Sequence, residues 1–267
     1  MARIIPSRHY GAIKRLRNTI TPRSQVEIPE DPLEMAEILG LTLDPWQVRV
    51  LRSEAKNMIL LCGRQVGKTE AVSLLALRTI LTKPRSLVLC VSPSLAQSQE
   101  VYRRTANHWR DLGRPIPAES ETSMSVTLTN GSRFVSLPGS EARARGYSAD
   151  LVIADEAARV EDPLFYAIRP TLAATGGRMI LLSTPFGKRG FFYETWIADD
   201  EGWERVKITT PECPRVSPDF LASERRTLPE QWYRQEYLCE FGDNEASVFK
   251  TADVEAAFTP LVTPLFK

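Results

Sequence analysis

Leu60-Leu61-Cys62-Gly63-Arg64-Gln65-Val66-Gly67-Lys68-Thr69 is an apolar run, then a loop with two glycines, then a Lys-Thr pair. The general phosphate-loop pattern is G-x-x-x-x-G-K-[ST]. Gly67, Lys68 and Thr69 fit it, whereas the first glycine position holds Cys62 and Gly63 comes one place late. The departure leaves the physics in place. Backbone N–H groups from Arg64 through Gln65, Val66 and Gly67 to Lys68 can cradle phosphate at a helix N-terminus. Lys68 would contact the β- and γ-phosphates and Thr69 would ligate Mg2+. The competing reading is an ordinary strand, turn and helix with a chance Gly-Lys-Thr.

The surroundings favour the first reading. Residues 58–61 form a short apolar run, and 68–81 carries Val72, Leu75, Ala76 and Ile80 near helical spacing. Residues 86–91, 150–154 and 178–183 read as further buried strands, and 94–111 and 163–174 as helices. Residues 125–128 and 133–137 flank Thr129-Asn130-Gly131, a hairpin signal. Near-continuous apolar strands alternating with helices predict an α/β core, a parallel sheet with helices on both faces. Past about Pro211 no further strand is expected, and 219–226 and 230–240 read as helices of a small lid subdomain.

Leu151-Val152-Ile153-Ala154-Asp155-Glu156 delivers two acids at a strand's C-terminal end, where open α/β sheets bind ligands. Asp155 would hold Mg2+, directly or through water, and Glu156 would orient and deprotonate an attacking water. An apolar run ending in Asp-Glu is weak by itself. Paired with Gly67-Lys68-Thr69 roughly ninety residues upstream, it indicates a nucleotide-hydrolysing site.

Composition narrows the classes. The chain has 267 residues, 43% of them apolar, which suits one large domain or one domain with a small appendage. With 34 Lys+Arg against 33 Asp+Glu, any nucleic-acid contact must come from a local patch. No apolar run is long enough for a membrane span, and the N-terminal stretch lacks the apolar core of a signal peptide. Cys62, Cys90, Cys213 and Cys239 form no C-x-x-C pair, and His9 and His108 are the only histidines. That argues against a zinc site or a disulfide framework and for a reducing compartment.

Four segments follow. Residues 1–40 are a basic arm in which Arg3, Arg8, Lys14, Arg15, Arg17 and Arg23 precede the first acid, Glu27. The arm is either a solvated tail or a contact for nucleic acid or a partner. Residues 41–210 are the core, 211–249 the lid and 250–267 a C-terminal tail.

These residues resemble the ATPase domain of the large terminase subunit of tailed bacteriophages, the motor that packages DNA into a capsid. Gly63-Arg64-Gln65-Val66-Gly67-Lys68-Thr69 is similar to the family's loop, which often lacks the first glycine. Leu43-Asp44-Pro45-Trp46-Gln47 resembles its adenine-recognition segment, with Gln47 reading the base. Leu182-Ser183-Thr184-Pro185 resembles the motif that couples hydrolysis to movement, and the segment from Leu137 to Gly146 is similar as well. The resemblance implies a RecA/ASCE-type P-loop NTPase core using ATP and Mg2+. It implies double-stranded DNA as the substrate moved, a homo-oligomeric ring (a pentamer on the capsid), a portal protein and a small terminase subunit as partners, no membrane, and the host cell cytoplasm. It also implies an arginine finger acting in trans, Arg145 in first place and Arg143 in second.

Several residues keep a plainer reading. Gln47 with Trp46 could cap and pack the arm, Ser183-Thr184-Pro185 could simply end a strand, and Arg143 and Arg145 could lie in a solvated loop. Arg64 could face solvent, phosphate or an acid. Trp109, Trp196, Trp203 and Trp232 read as core or lid packing, and His108 as structural, with no acid–base partner in view. Large terminases carry a C-terminal nuclease domain with a metal-binding acid cluster; after Phe249 only Asp253 and Glu255 remain. No DNA cleavage is expected of this chain, read as a motor domain alone or an ATPase subunit whose nuclease lies elsewhere. Competing functions are a superfamily 2 helicase, which needs a second RecA-like core, and a non-enzymatic assembly protein with a decayed nucleotide site, against which the intact Lys68, Thr69, Asp155 and Glu156 argue.

Overall fold

In the computed structural model, residues 28–138, 146–242 and 257 are described. Eight strands form one sheet: β1 Asn57–Cys62, β2 Leu87–Ser92, β3 Ala118–Glu121, β4 Ser125–Leu128, β5 Arg133–Pro138, β6 Leu151–Asp155, β7 Arg178–Ser183 and β8 Glu204–Ile208. Their order is β3-β4-β5-β2-β6-β7-β1-β8. From β5 to β8 neighbouring strands run parallel. The β3 and β4 strands pair antiparallel at one edge, so the sheet is mixed rather than parallel throughout.

The helices are α1 Pro32–Ile38, α2 Pro45–Arg52, α3 Lys68–Thr82, α4 Leu95–Asp111, α5 Asp162–Ile168, α6 Gly190–Ile197, α7 Pro218–Thr227 and α8 Glu230–Leu238. Successive residues of a strand face opposite sides of the sheet. Met58, Leu60 and Cys62 of β1, with Val88, Ile153 and Ile180, pack on one face against α3 and α4. Ile59 and Leu61, with Leu89, Val152 and Leu181, pack on the other against Phe165 of α5 and Phe191 and Phe192 of α6. Both faces are dry, which is why these strands read as continuous apolar runs; each fully buried large side chain is worth roughly 1.5–3 kcal/mol.

Three expectations need correction. Residues 32–38, expected within the arm, form α1: Asp31 accepts from the Leu33 N–H, Pro32 opens the helix, and Met35 and Ala36 enter the core. The helix expected over 163–174 ends at Ile168 and tightens into a 3-10 turn over Arg169–Leu172, because Pro170 has no N–H to continue the ladder. His108 is not isolated; its Nε2 meets Glu70 Oε1 at 2.5 Å. Trp109 is core, whereas Trp232 on α8 is 44% exposed. No helix among the described residues is long and apolar enough to cross a membrane.

Candidate active site

The site lies at the C-terminal ends of β1, β6 and β7. The sheet order sets β7 between the other two, with Ser183 level with Leu61 and Leu182 level with Asp155. Three sequence segments far apart therefore end side by side.

The loop between β1 and α3 is held from beneath. The Gly63 N–H donates to Ile208 O (2.8 Å) and the Arg64 N–H to Glu236 O (2.8 Å). Thr210 Oγ1 donates to Arg64 O (2.9 Å), Arg215 Nη2 to Val66 O (2.7 Å) and Gln47 Nε2 to Gly67 O (3.0 Å). In a trans peptide the N–H points opposite to the preceding C=O. Engaging those three carbonyls turns the amides of Gln65, Gly67 and Lys68 away from the tethering side chains. Gln65 and Gly67 sit at φ 58° and 86°, the left-handed conformation that such a tight loop requires.

Lys68 Nζ forms an ion pair with Glu156 Oε1. Burial works against the Lys68 charge, but Glu156 and Asp155 more than offset it and hold the ammonium above its ordinary value. Asp155 is 5% exposed, and its Oδ1 accepts from the Glu156 N–H (3.0 Å). Burial is the main reason its carboxyl is pushed up to about 6; Lys68 opposes the shift and Glu156 adds to it. Glu156 follows at φ 51°, a sparsely populated conformation for a non-glycine residue and one that clusters at functional sites. Ser183 Oγ is buried with no hydrogen-bond partner. Thr69 near the start of α3, Asp155 at the end of β6 and Ser183 at the end of β7 supply hard oxygen donors. That set fits Mg2+, which takes one or two carboxylates plus phosphate and water oxygens rather than a closed protein cage. No cluster of three or more His, Cys, Asp or Glu side chains suited to a metal occurs among the described residues.

Two residues of this site escaped the reading of the sequence. Arg159 Nη1 donates to Glu156 Oε2 (3.1 Å) and Thr184 Oγ1 (2.9 Å), and its Nη2 to Glu236 Oε1 (3.1 Å). Glu236, on α8 and 3% exposed, also accepts from Arg64 Nε (2.7 Å). Burial pushes the Glu236 carboxyl up, but the Arg64 hydrogen bond and charge, with Gln235 and Arg159, outweigh it and hold it below the usual range. Of the three readings open for Arg64, the geometry places it on an acid. A basic residue three places after Glu156 was the visible signal for Arg159. Nothing local marked Glu236.

Gln47 is 0% exposed and has both ends of its amide engaged: Oε1 accepts from the Asp44 N–H (2.8 Å) and Nε2 donates to the loop. Arg143 and Arg145, with Gly139, Ser140 and Ala144, lie outside the described residues, as do the basic arm before Glu27 and Asp253 and Glu255.

Comparison with known proteins bears on the family and the fold. The chain is 28% identical over 255 residues to the large terminase subunit of Thermus virus P23-45, an alignment covering 82% of this chain and 52% of that protein. It is 27% identical over 212 residues to the large terminase subunit of Escherichia phage T5, covering 76% and 48%. The chain thus spans about half the length of the curated relatives it matches. The fold matches the large terminase ATPase domain of Thermus phage P74-26 at a TM-score of 0.71 and 23% identity, over 78% of this chain and 97% of that one. It matches the HK97 bacteriophage large terminase at 0.64 and 18%, over 75% and 51%. Residues 59–256 match the family described as terminase large subunit, T4likevirus-type, N-terminal, and the chain belongs to that family.

Proposed function

We propose that this chain is the ATP-hydrolysing motor of a large terminase, driving double-stranded viral DNA into a procapsid in the host cytoplasm. The observation that carries the reading is the Lys68–Glu156 ion pair beside Asp155, at the mouth of a tethered phosphate loop. Lys68 would bind the β- and γ-phosphates together with the N–H groups of Gln65, Gly67 and Lys68, whereas those of Gly63 and Arg64 are already engaged by Ile208 O and Glu236 O. Thr69 and Asp155 would hold Mg2+, which when bound neutralises charge developing on the phosphates. Glu156 would orient the attacking water and accept its proton. Gln47 anchors the loop through Gly67, and Ser183 and Thr184 would couple phosphate release to movement.

Phosphoryl transfer also calls for a cation on the γ-phosphate, often supplied by a neighbouring subunit. Arg145 is the candidate, with Arg143 second, in a homo-oligomeric ring set against a portal protein and fed by a small terminase subunit. Residues 211–249 would act as the lid. DNA would be held through its phosphates, with little sequence preference and a steep salt dependence.

Glu156→Gln is the test of the chemistry. The amide keeps the shape but takes no proton, so ATP still binds and turnover stops. Wild-type hydrolysis by that variant would remove Glu156 from the base role. Arg145→Ala should bind ATP and hydrolyse it poorly. Mixed with Glu156→Gln in one ring, it should regain activity wherever an intact arginine faces an intact glutamate. Proven mixed rings with no recovery would place the finger elsewhere.

A further inference from the structure

Glu156 is held by two cations of different kinds. One carboxylate oxygen meets Lys68, a flexible point charge, and the other meets Nη1 of Arg159 at 3.1 Å. The second contact follows from local structure. Glu156 caps a 3-10 turn over Ala157–Arg159, and in such a turn side chains three apart eclipse. The Arg159 guanidinium is fixed at further points: Thr184 Oγ1 at 2.9 Å, Glu236 Oε1 at 3.1 Å and the Phe186 ring, 4.7 Å from its central carbon to the ring centroid. A planar fork held this way keeps its direction as an ammonium cannot.

We propose that Arg159 is the positioning residue for Glu156, aiming the carboxylate and tying it to the end of β7 through Thr184 and to α8 through Glu236. The proposal rests on the reading of Glu156 as the base. A phosphate on Lys68 competes with Glu156 for that ammonium, and Arg159 then remains as the group that orients the carboxylate. Glu236 is the second fixed point, and its own pairing with Arg64 of the phosphate loop closes a chain: loop, α8, Arg159, base. A purely structural Arg159, there to neutralise Glu236, makes a different forecast, because Arg64 already serves that carboxylate.

The test compares kcat for ATP in the presence of DNA, and the Kd of a fluorescent ATP analogue, in wild type, Arg159→Ala, Arg159→Lys, Glu236→Gln and the Arg159→Ala/Glu236→Gln double variant. Arg159→Ala should lower kcat about thirtyfold while Kd moves less than about threefold, the split expected when a transition-state contact is lost. Arg159→Lys should recover part of the loss. The double variant should be no slower than Arg159→Ala, since both changes cut one chain. Wild-type kcat in a folded Arg159→Ala variant overturns the proposal, as do losses that multiply in the double variant, or a fall in kcat matched by a comparable rise in Kd. If Arg159→Ala fails to fold by circular dichroism, Arg159→Lys decides: reduced kcat at unchanged Kd supports the role, and wild-type kcat removes it. Glu156→Gln separates the two levels. Wild-type turnover there, or none in the wild type, strikes the base assignment itself; a dead Glu156→Gln beside a fully active Arg159→Ala strikes only the positioning role.

Discussion

Gln47→Glu distinguishes a loop anchor from a base reader, because it alters one atom of a side chain with no solvent access. The Oε1 contact to the Asp44 N–H survives the change. The Nε2 donor becomes an oxygen facing Gly67 O at the 3.0 Å now occupied by a hydrogen bond. Gly67 O keeps its other partner, the Glu70 N–H at 3.2 Å, so the lost bond alone costs about 1 kcal/mol, the low end for a buried polar group. The larger contribution is the carboxylate, which burial at 0% exposure drives toward its protonated form. Together the destabilisation should be about 2–4 kcal/mol at pH 8.

The sign with pH is fixed by the same chemistry. A carboxyl whose folded pKa is raised binds more protons in the folded state, so stability increases as pH falls toward the unfolded value. Once protonated, the introduced group has an O–H to offer Gly67. Urea unfolding without nucleotide should therefore show a lowered midpoint at pH 8, an unchanged slope and a smaller deficit at pH 5.5. A side chain kept for reading a base would leave that midpoint untouched and change only the preference for ATP over GTP. A wild-type midpoint at pH 8 refutes the anchoring role.

Gly63→Ala would set a Cβ 2.8 Å from Thr210 N and 3.1 Å from Tyr237 O, both backbone atoms that cannot swing aside. It should cost about 1–3 kcal/mol by thermal unfolding and weaken ATP binding, and an unchanged melting temperature would contradict the docking of the loop on α8. Glu70 accepts from Arg104 Nη1 (2.6 Å) and meets His108; burial raises its carboxyl, and these two partners outweigh burial and depress it. Its contribution is therefore present above the unfolded value and lost as pH falls through the folded one. Glu70→Gln should be destabilised by about 1–3 kcal/mol at pH 5, with the gap to wild type narrowing as pH falls below the ordinary carboxylate range; a constant gap would show that the charge is idle.

What the sequence disclosed tracks burial on both faces. The β1, β2, β6 and β7 strands are dry on each side and read as apolar runs, and Asn130-Gly131 marked the β4–β5 turn. The β8 strand, Glu204-Arg205-Val206-Lys207-Ile208, buries only Val206 and Ile208, and the β3 strand, Ala118-Glu119-Ser120-Glu121, buries neither face. Edge strands carry charge, so their composition resembles a loop. Gly190–Ile197 begins at a glycine with φ 76° and has no side-chain cap, so α6 lacked a start signal. In the candidate site, Asp155 and Glu156 were legible because they sit where an apolar strand ends, and Lys68 and Thr69 because they open a helix after a glycine-containing loop. Glu236 was not, since its importance arises from contacts with residues far away in the chain.

Under the proposed function, the Lys68–Glu156 pair would link binding to catalysis in a way no single residue reveals. A bound triphosphate would compete with the Glu156 carboxylate for one ammonium, and the groups around it are fixed: Asp155 by burial and the Glu156 N–H, Glu236 by two arginines, the loop by Gln47 and Arg215. Binding energy at Lys68 would thus be reduced by the cost of parting it from Glu156, and the same parting would free one oxygen of the proposed base. Removing the competitor reverses the first effect and abolishes the second. Glu156→Gln should therefore bind ATP more tightly than wild type, by about three- to tenfold for a partly buried pair worth about 1 kcal/mol, while its turnover is lost. Looser binding in that variant, measured by titration with a fluorescent analogue, would mean that Glu156 supports the phosphate site rather than competing for its lysine.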